Sequence, residues 1–235
     1  MKTLETCKGK INISSPFHFF DNISFINLEE RVDRLKQVKD EFEKIGITEL
    51  VERFPAIKLE DGKRACKLSH IACIEKAFNE GHENVLVFED DVEFLVSSFD
   101  YLTAALESLE KIPDWEIFYL GGRPVVPAQF VAKNLVKCKF WGNQSYVIHR
   151  RAWHYLKPLK ESPKNKDVWF ADNVSESYGI YPAMTTQKPG FSDILKRDIN
   201  RKTRIFKEHY EKFVDPRPIP RMYKALKFRL GLGGR

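Results

Sequence analysis

Three carboxylates in a row, Glu89-Asp90-Asp91, follow directly on the apolar run Val85-Leu86-Val87-Phe88. Adjacent carboxylates repel one another, and crowding them is costly unless a cation or a set of donors compensates them. A hard divalent ion, Mn²⁺ or Mg²⁺, suits the task, because it takes oxygen ligands and can bridge to phosphate oxygens. The alternative is an acidic turn left in solvent. The apolar run, preceded by the turn signal Asn79-Glu80-Gly81 and continuing to Val92, predicts a central parallel strand with the acids at its carboxyl end. Ligands bind at that end in open α/β sheets.

Other residues that could do chemistry lie near predicted strand ends and helix starts. Asn27, Arg31 and Arg34 follow the first predicted strand; an arginine pair there can hold phosphates or a base edge, or pair locally with Glu or Asp. Ser69 is read as a helix N-cap and His70 as a first-turn residue, where unpaired N–H groups favour an anion or a sugar. Gly121-Gly122 and Gly142 permit close approach of backbone to a ligand, or simply make turns. Asp167, beside Trp169 and Phe170, reads as a general base near a stacked sugar or as a helix cap, with Asp172 and Asp193 as further carboxylates.

The elements that must position these groups follow from periodicity. Ile23–Leu28 reads as the first strand, and apolar residues at Val32, Leu35, Val38, Phe42 and Ile45 predict a helix closed by Gly46. Phe54–Ile57 is extended, Leu68–Phe78 is a helix ending at Gly81, and Phe99–Leu109 is a helix closed by Pro113. Trp115–Leu120 is a strand. Residues 125–139 read as a weakly patterned loop leading to a strand near Val136–Phe140, and Ser145–Ile148 is a strand feeding a helix over Arg150–Leu159. Tyr181-Pro182-Ala183 is extended, and Gln187–Ile194 is a loop able to close over a site.

At 235 residues, 43% of them hydrophobic and 31% charged, the chain can bury the core of one large α/β domain, which excludes a disordered protein. The net charge of +6 is unevenly spread: residues 196–235 carry 13 Lys/Arg against 4 Asp/Glu, and the preceding 195 carry 26 against 29. A basic tail on a near-neutral body points to an anionic membrane surface or a solvated helix, with nucleic acid a distant third. In the tail, Met222, Tyr223, Leu226 and Leu230 share a face opposite Lys224 and Lys227, as an interfacial helix requires. Cys7, Cys66, Cys73 and Cys138 show neither a C-x-x-C pair nor zinc spacing, and no apolar h-region opens the chain. The expectation is reduced thiols and a cytoplasmic location, peripheral on the cytosolic membrane face.

The ordered series Phe25-Ile26-Asn27-Leu28 with Arg31 and Arg34, Phe54-Pro55-Ala56, Leu68-Ser69-His70, Val87–Val92, Tyr119-Leu120-Gly121-Gly122 and Tyr146-Val147-Ile148 resembles glycosyltransferase family 25. Asp167, Tyr181-Pro182-Ala183 and Ser192-Asp193-Ile194 continue the resemblance, which spans roughly residues 23–195. It departs at Ala65, Ile74 and Ser145, which bear on acceptor preference. The resemblance implies a single GT-A domain, with a mixed central sheet flanked by helices, over residues 23–195. A lead-in over 1–22 would precede it and the basic helical tail over 196–235 would follow. It also implies an inverting, metal-dependent transfer of a hexose, most often galactose from UDP-galactose, onto a glycan such as a lipooligosaccharide. On this reading Asp91 and Glu89 hold Mn²⁺ or Mg²⁺. Asn27, Leu28, Arg31, Arg34, Ser69, His70, Glu89, Asp90, Gly122 and Gly142 line the donor, and Asp167, Asp172 or Asp193 is the base. The rivals are a sugar nucleotidyltransferase and a non-catalytic binding protein of the same fold.

Overall fold

The computed structural model describes residues 3–6, 9–12, 15–95, 99–194 and 196–199. Of the tail expected over 196–235 only residues 196–199 are described, with a short strand over Arg197–Ile199; residues 200–235 lie outside them, as does Cys7. Eight strands form the central sheet: β1 (Asn22–Asn27), β2 (Glu52–Pro55), β3 (Asn84–Glu89), β4 (Ile117–Tyr119), β5 (Gln129–Ala132), β6 (Leu135–Lys137), β7 (Ser145–His149) and β8 (Ser177–Ile180). Their order is β2-β1-β3-β7-β4-β8-β6-β5. The sheet is mixed as expected: β3 runs parallel to β1 on one side and antiparallel to β7 on the other.

The apolar run of β3 is buried on both faces, which is why it lacks alternation. Leu86 and Phe88 enter one core layer with Phe25, Val38, Phe42 and Leu102; Val85 and Val87 enter the other with Ile71, Ile74, Phe78 and Tyr146. Helices α1 (Val32–Ile45) and α3 (Asp100–Leu109) supply the first layer. Helices α2 (Gly62–Asn79), α4 (Leu156–Glu161) and α5 (Lys166–Asn173) supply the second. Each fully buried Phe, Leu, Ile or Val contributes about 1.5–3 kcal/mol.

Helix α1 ends where the sequence predicts, at Gly46 with φ of 72°, a left-handed cap that glycine takes without a Cβ penalty. Val32, although apolar, is 66% exposed, because it opens the helix outside the packed stripe.

Three expectations are corrected. Helix α2 begins at Gly62, six residues before the predicted start, because the Asp61 carboxylate accepts from the Lys63 and Arg64 N–H groups and caps it. The strand expected near Val136–Phe140 is present as β6, but the loop expected before it holds a further strand, β5, and the two form a hairpin turned at Asn134, whose φ is 63° and whose side-chain amide donates to the Tyr181 carbonyl. The predicted helix over 150–159 starts as a 3-10 segment, Arg150–Tyr155, before α4.

Candidate active site

The acidic triplet sits at the carboxyl end of β3, where the chain turns at Asp90-Asp91 before the short strand Val92–Phe94. Its three carboxylates have three environments. Both Asp90 oxygens are taken, Oδ1 by Arg34 at 2.9 Å and Oδ2 by the Asn27 amide at 2.8 Å. Burial still pushes the Asp90 pKa up against these partners. Glu89 Oε1 accepts from Lys166 Nζ at 2.9 Å, and Oε2 accepts from the Gln187 amide at 3.1 Å.

Asp91 differs from both. Its Oδ2 lies 3.4 Å from Arg34, and its Oδ1 is buried with no hydrogen-bond partner. Burial and then repulsion from Glu89 push its pKa up to about 7. The unpartnered anionic Asp91 Oδ1 is the atom that could hold a Mn²⁺ or Mg²⁺ ion.

Glu89 belongs to a buried network on the α2 and α5 side of the sheet. Lys166, the first residue of α5, is 6% exposed and bridges Glu89 to Asp167, whose Oδ1 is 3.1 Å from Nζ. Burial favours the neutral amine, but the Asp167 and Glu89 carboxylates outweigh it and hold Lys166 charged. Burial likewise opposes ionisation of Glu89, but Lys166 and His70 keep its pKa below the usual carboxylate range. His70 Nδ1 meets the Tyr146 hydroxyl at 3.0 Å, and Nε2 faces Glu89 Oε1 at 3.3 Å. Burial and the neighbouring Lys166 lower the His70 pKa to about 4, so the ring is neutral at pH 7. Cys66, His70 and Glu89 approach closely enough to share a metal ion. The Lys166 ammonium already fills that cationic role, and burial raises the Cys66 thiol to about 12.

The basic side of the site comes from the start of α1. Arg34 binds Asp90 and donates to the Phe191 carbonyl at 2.6 Å. Arg31 pairs with Asp33 at 2.8 Å and with Asp193. The segment Gln187–Ile194 therefore crosses the end of β1, tied down by both arginines. Asn27 is oriented from behind by Arg53, whose Nε donates to its Oδ1 at 3.1 Å. Leu28 contributes its carbonyl to the Arg31 N–H.

The structure thus brings together Asn27, Arg31, Arg34, His70, Glu89, Asp90, Asp91, Asp167 and Asp193. Ser69 and His70 are corrected: both lie in the body of α2, so neither presents free helix-start N–H groups. Ser69 Oγ donates to the Ala65 carbonyl and accepts from Ile57 N–H, a purely internal tie. Asp167 is not the cap of α5, a place held by Asn165. Its Oδ2 accepts from the Gly142 N–H at 3.1 Å, which joins two predicted site residues. Gly142 has φ of 89°, and a Cβ on Gly122 would press on the Trp141 and Gly142 carbonyls. Asp172, five residues beyond Asp167 and so roughly 140° around the helix, pairs with Lys164 at 2.8 Å in solvent. Sequence reasoning missed Lys166 and Gln187. The signal for Lys166 was the demand for a cation beside the triplet, which the sequence reading met with a metal alone.

The sequence profile described as "Glycosyltransferase family 25 (LPS biosynthesis protein)" matches residues 10–140, more than half of the chain. A protein of Haemophilus influenzae described as "Putative glycosyltransferase" is 30% identical over 175 residues, covering 72% of this chain and 56% of its own length. A Bos taurus protein described as "Probable inactive glycosyltransferase 25 family member 3" is 37% identical over 73 residues, 30% of this chain and 12% of its own. The chain therefore spans about half the length of one of these relatives and a small part of the other. Among solved structures, "a glycosyltransferase involved in the glycosylation of the major capsid of PBCV-1" aligns at 13% identity over 66% of this chain and 68% of that chain. The TM-score of that alignment is 0.39.

Proposed function

The chain belongs to glycosyltransferase family 25, and we propose that it transfers a hexose, galactose from UDP-galactose, with inversion onto a hydroxyl of a glycan such as a lipooligosaccharide. The observation that carries this reading is Asp91 Oδ1, a buried and unpartnered carboxylate oxygen at the carboxyl end of the central strand, among acids that are otherwise paired. A Mn²⁺ or Mg²⁺ ion held by Asp91 would neutralise the leaving diphosphate. Arg34 and Asn27 hold Asp90 and so set the shape of the turn that presents Asp91. Glu89, engaged by Lys166 and Gln187, would act from behind this turn.

Asp167 is the proposed base. Lys166 and the Gly142 N–H orient its carboxylate, which would take the proton of the acceptor hydroxyl as that oxygen attacks the anomeric carbon. The bond from that carbon to the diphosphate oxygen breaks, and UDP leaves with the electron pair. All three candidates are salt-bridged, Asp167 to Lys166, Asp193 to Arg31 and Asp172 to Lys164; Asp167 is preferred over Asp172 because Lys166 also joins it to Glu89 of the acidic triplet, whereas Asp172 is paired in solvent.

Free UDP released from a panel of UDP-sugars, measured with Mn²⁺ and with chelator, tests this function. Chelator-sensitive release from one donor is expected. No release, together with no donor-induced rise in melting temperature, would move the reading to a non-catalytic protein of the same family.

No helix among the described residues is long and apolar enough to cross a membrane. The basic tail is proposed to hold the protein at the anionic cytosolic face, where a lipid-linked acceptor would be met. Truncation after Asp215 should then weaken binding to vesicles containing anionic lipid. Equal binding of the full and truncated chains would leave the tail a solvated segment.

A further inference from the structure

Three of the four tryptophans, Trp115, Trp153 and Trp169, pack into or against the two core layers, whereas Trp141 is 37% exposed. It stands in a two-residue strand, Phe140–Trp141, antiparallel to Arg123–Pro124. Successive side chains of a strand point to opposite sides. Phe140 is buried, its ring centroid 4.8 Å from that of Tyr119 and its edge filling the space a Cβ on Gly179 would need. Trp141 is thereby turned away from the core. The Arg123 guanidinium lies 4.7 Å from the indole centroid and holds the ring in place.

This tryptophan lies at the ligand end of the sheet. Strand β7 runs antiparallel to both β3 and β4, so the ends of β3 and β4 and the start of β7 lie together. Arg123 follows Gly121-Gly122 at the end of β4, and Trp141 precedes Gly142 and Gln144 at the start of β7. The Gly142 N–H, one peptide bond from Trp141, donates to Asp167 at 3.1 Å, and the Gln144 carbonyl accepts from the Glu89 N–H at 2.9 Å. Helix α5, which carries Asp167, packs against the Phe140–Trp141 strand. Within the sheet order β1-β3-β7-β4, Arg31 and Arg34 follow β1 and flank the acids on one side, while Trp141 and Asp167 flank them on the other.

That division separates two substrates. Guanidinium groups draw the diphosphate of a nucleotide, so the group that receives the sugar approaches from the side of Asp167. A pyranose carries ring C–H groups on one face and hydroxyls around its rim. An exposed indole covers the C–H face without having to satisfy a hydroxyl, and leaves the rim free to reach the carboxylate beside it. We propose that Trp141 is the stacking platform for the acceptor sugar and holds the pyranose whose hydroxyl Asp167 deprotonates. This rests on the transferase reading above and assigns the acceptor as a pyranoside.

The test is UDP release by the full chain in Mn²⁺ from the UDP-sugar it hydrolyses, titrated with methyl β-galactoside, methyl β-glucoside and lactose, for wild type, Trp141→Ala and Trp141→Phe. Calorimetric UDP affinity and tryptophan emission are measured beside it. At least one glycoside should accelerate release by wild type and quench its emission. Trp141→Ala should raise KM for that glycoside about tenfold or more with little change in kcat, bind UDP as wild type does, and lose the quenching. Trp141→Phe, which keeps a flat ring, should recover most of the KM. If Trp141→Ala does not fold, Trp141→Leu, apolar but without a flat face, carries the same expectation. An unchanged KM, or an equal loss of UDP affinity, would overturn the platform. Wild type that cleaves a UDP-sugar but is neither accelerated nor quenched by any of the three glycosides would overturn the platform alone, and wild type that neither binds UDP nor cleaves any UDP-sugar would overturn the transferase reading as well.

Discussion

Asp91→Asn is expected to lower chelator-sensitive UDP release by roughly a hundredfold or more while leaving the melting temperature unchanged or higher. The two halves of this result have one cause. Asp91 is buried beside Glu89 and Asp90, its Oδ1 has no partner, and burial with Glu89 pushes its pKa up to about 7. The folded protein therefore bears an electrostatic cost at this residue that an amide of the same shape removes. Asp90 keeps Arg34 and Asn27 in the variant, so the turn has no reason to move. What is lost is the anionic oxygen that would hold a cation against the leaving diphosphate. Release at the wild-type rate would remove Asp91 from the mechanism, and a fall of many degrees in melting temperature would make it a structural residue instead. Circular dichroism melts beside the UDP assay decide between these.

Lys166→Met should do the opposite to stability. Removing the ammonium leaves Glu89 and Asp167 without the cation that compensates both, and Lys166 and Glu89 are 7% and 21% exposed at their side chains. Breaking a buried pair from one side costs roughly 3–5 kcal/mol, which for a domain of this size lowers the melting temperature by about 10 °C or more. Adding Glu89→Gln to Lys166→Met should recover part of the loss, because it removes one of the stranded charges. A Lys166→Met protein that melts with wild type would show that water, not Lys166, compensates these acids. UDP release should fall in the single variant as well, since Lys166 orients the proposed base.

The parts of this site that were readable from sequence are those carried by a few consecutive residues. The apolar run Val85–Phe88 of β3 leading into Glu89-Asp90-Asp91 announces a central strand with a ligand at its end. The heptad-like spacing from Leu35 to Ile45 with Gly46 announced α1, and so placed Arg31 and Arg34 beside that end. Helix α2 was read too short because its first turn, Gly62-Lys63-Arg64, has no apolar residue to announce it; the capping carboxylate of Asp61 does that work, and with the true start Ser69 and His70 move from the helix entrance into its packed body.

Sequence by itself determined the mixed α/β class, the acidic strand end, the arginines that face it and the family to which these belong. Only the tertiary structure decided how the three acids divide their roles. Lys166 reaches Glu89 across 77 residues of chain and Gln187 across 98, while Arg34 and Asn27 take Asp90 and leave Asp91 open. Periodicity and caps act over a few residues, so they are written locally. Which buried charge meets which depends on how the sheet orders its strands and what then packs over their ends, and no local pattern records that.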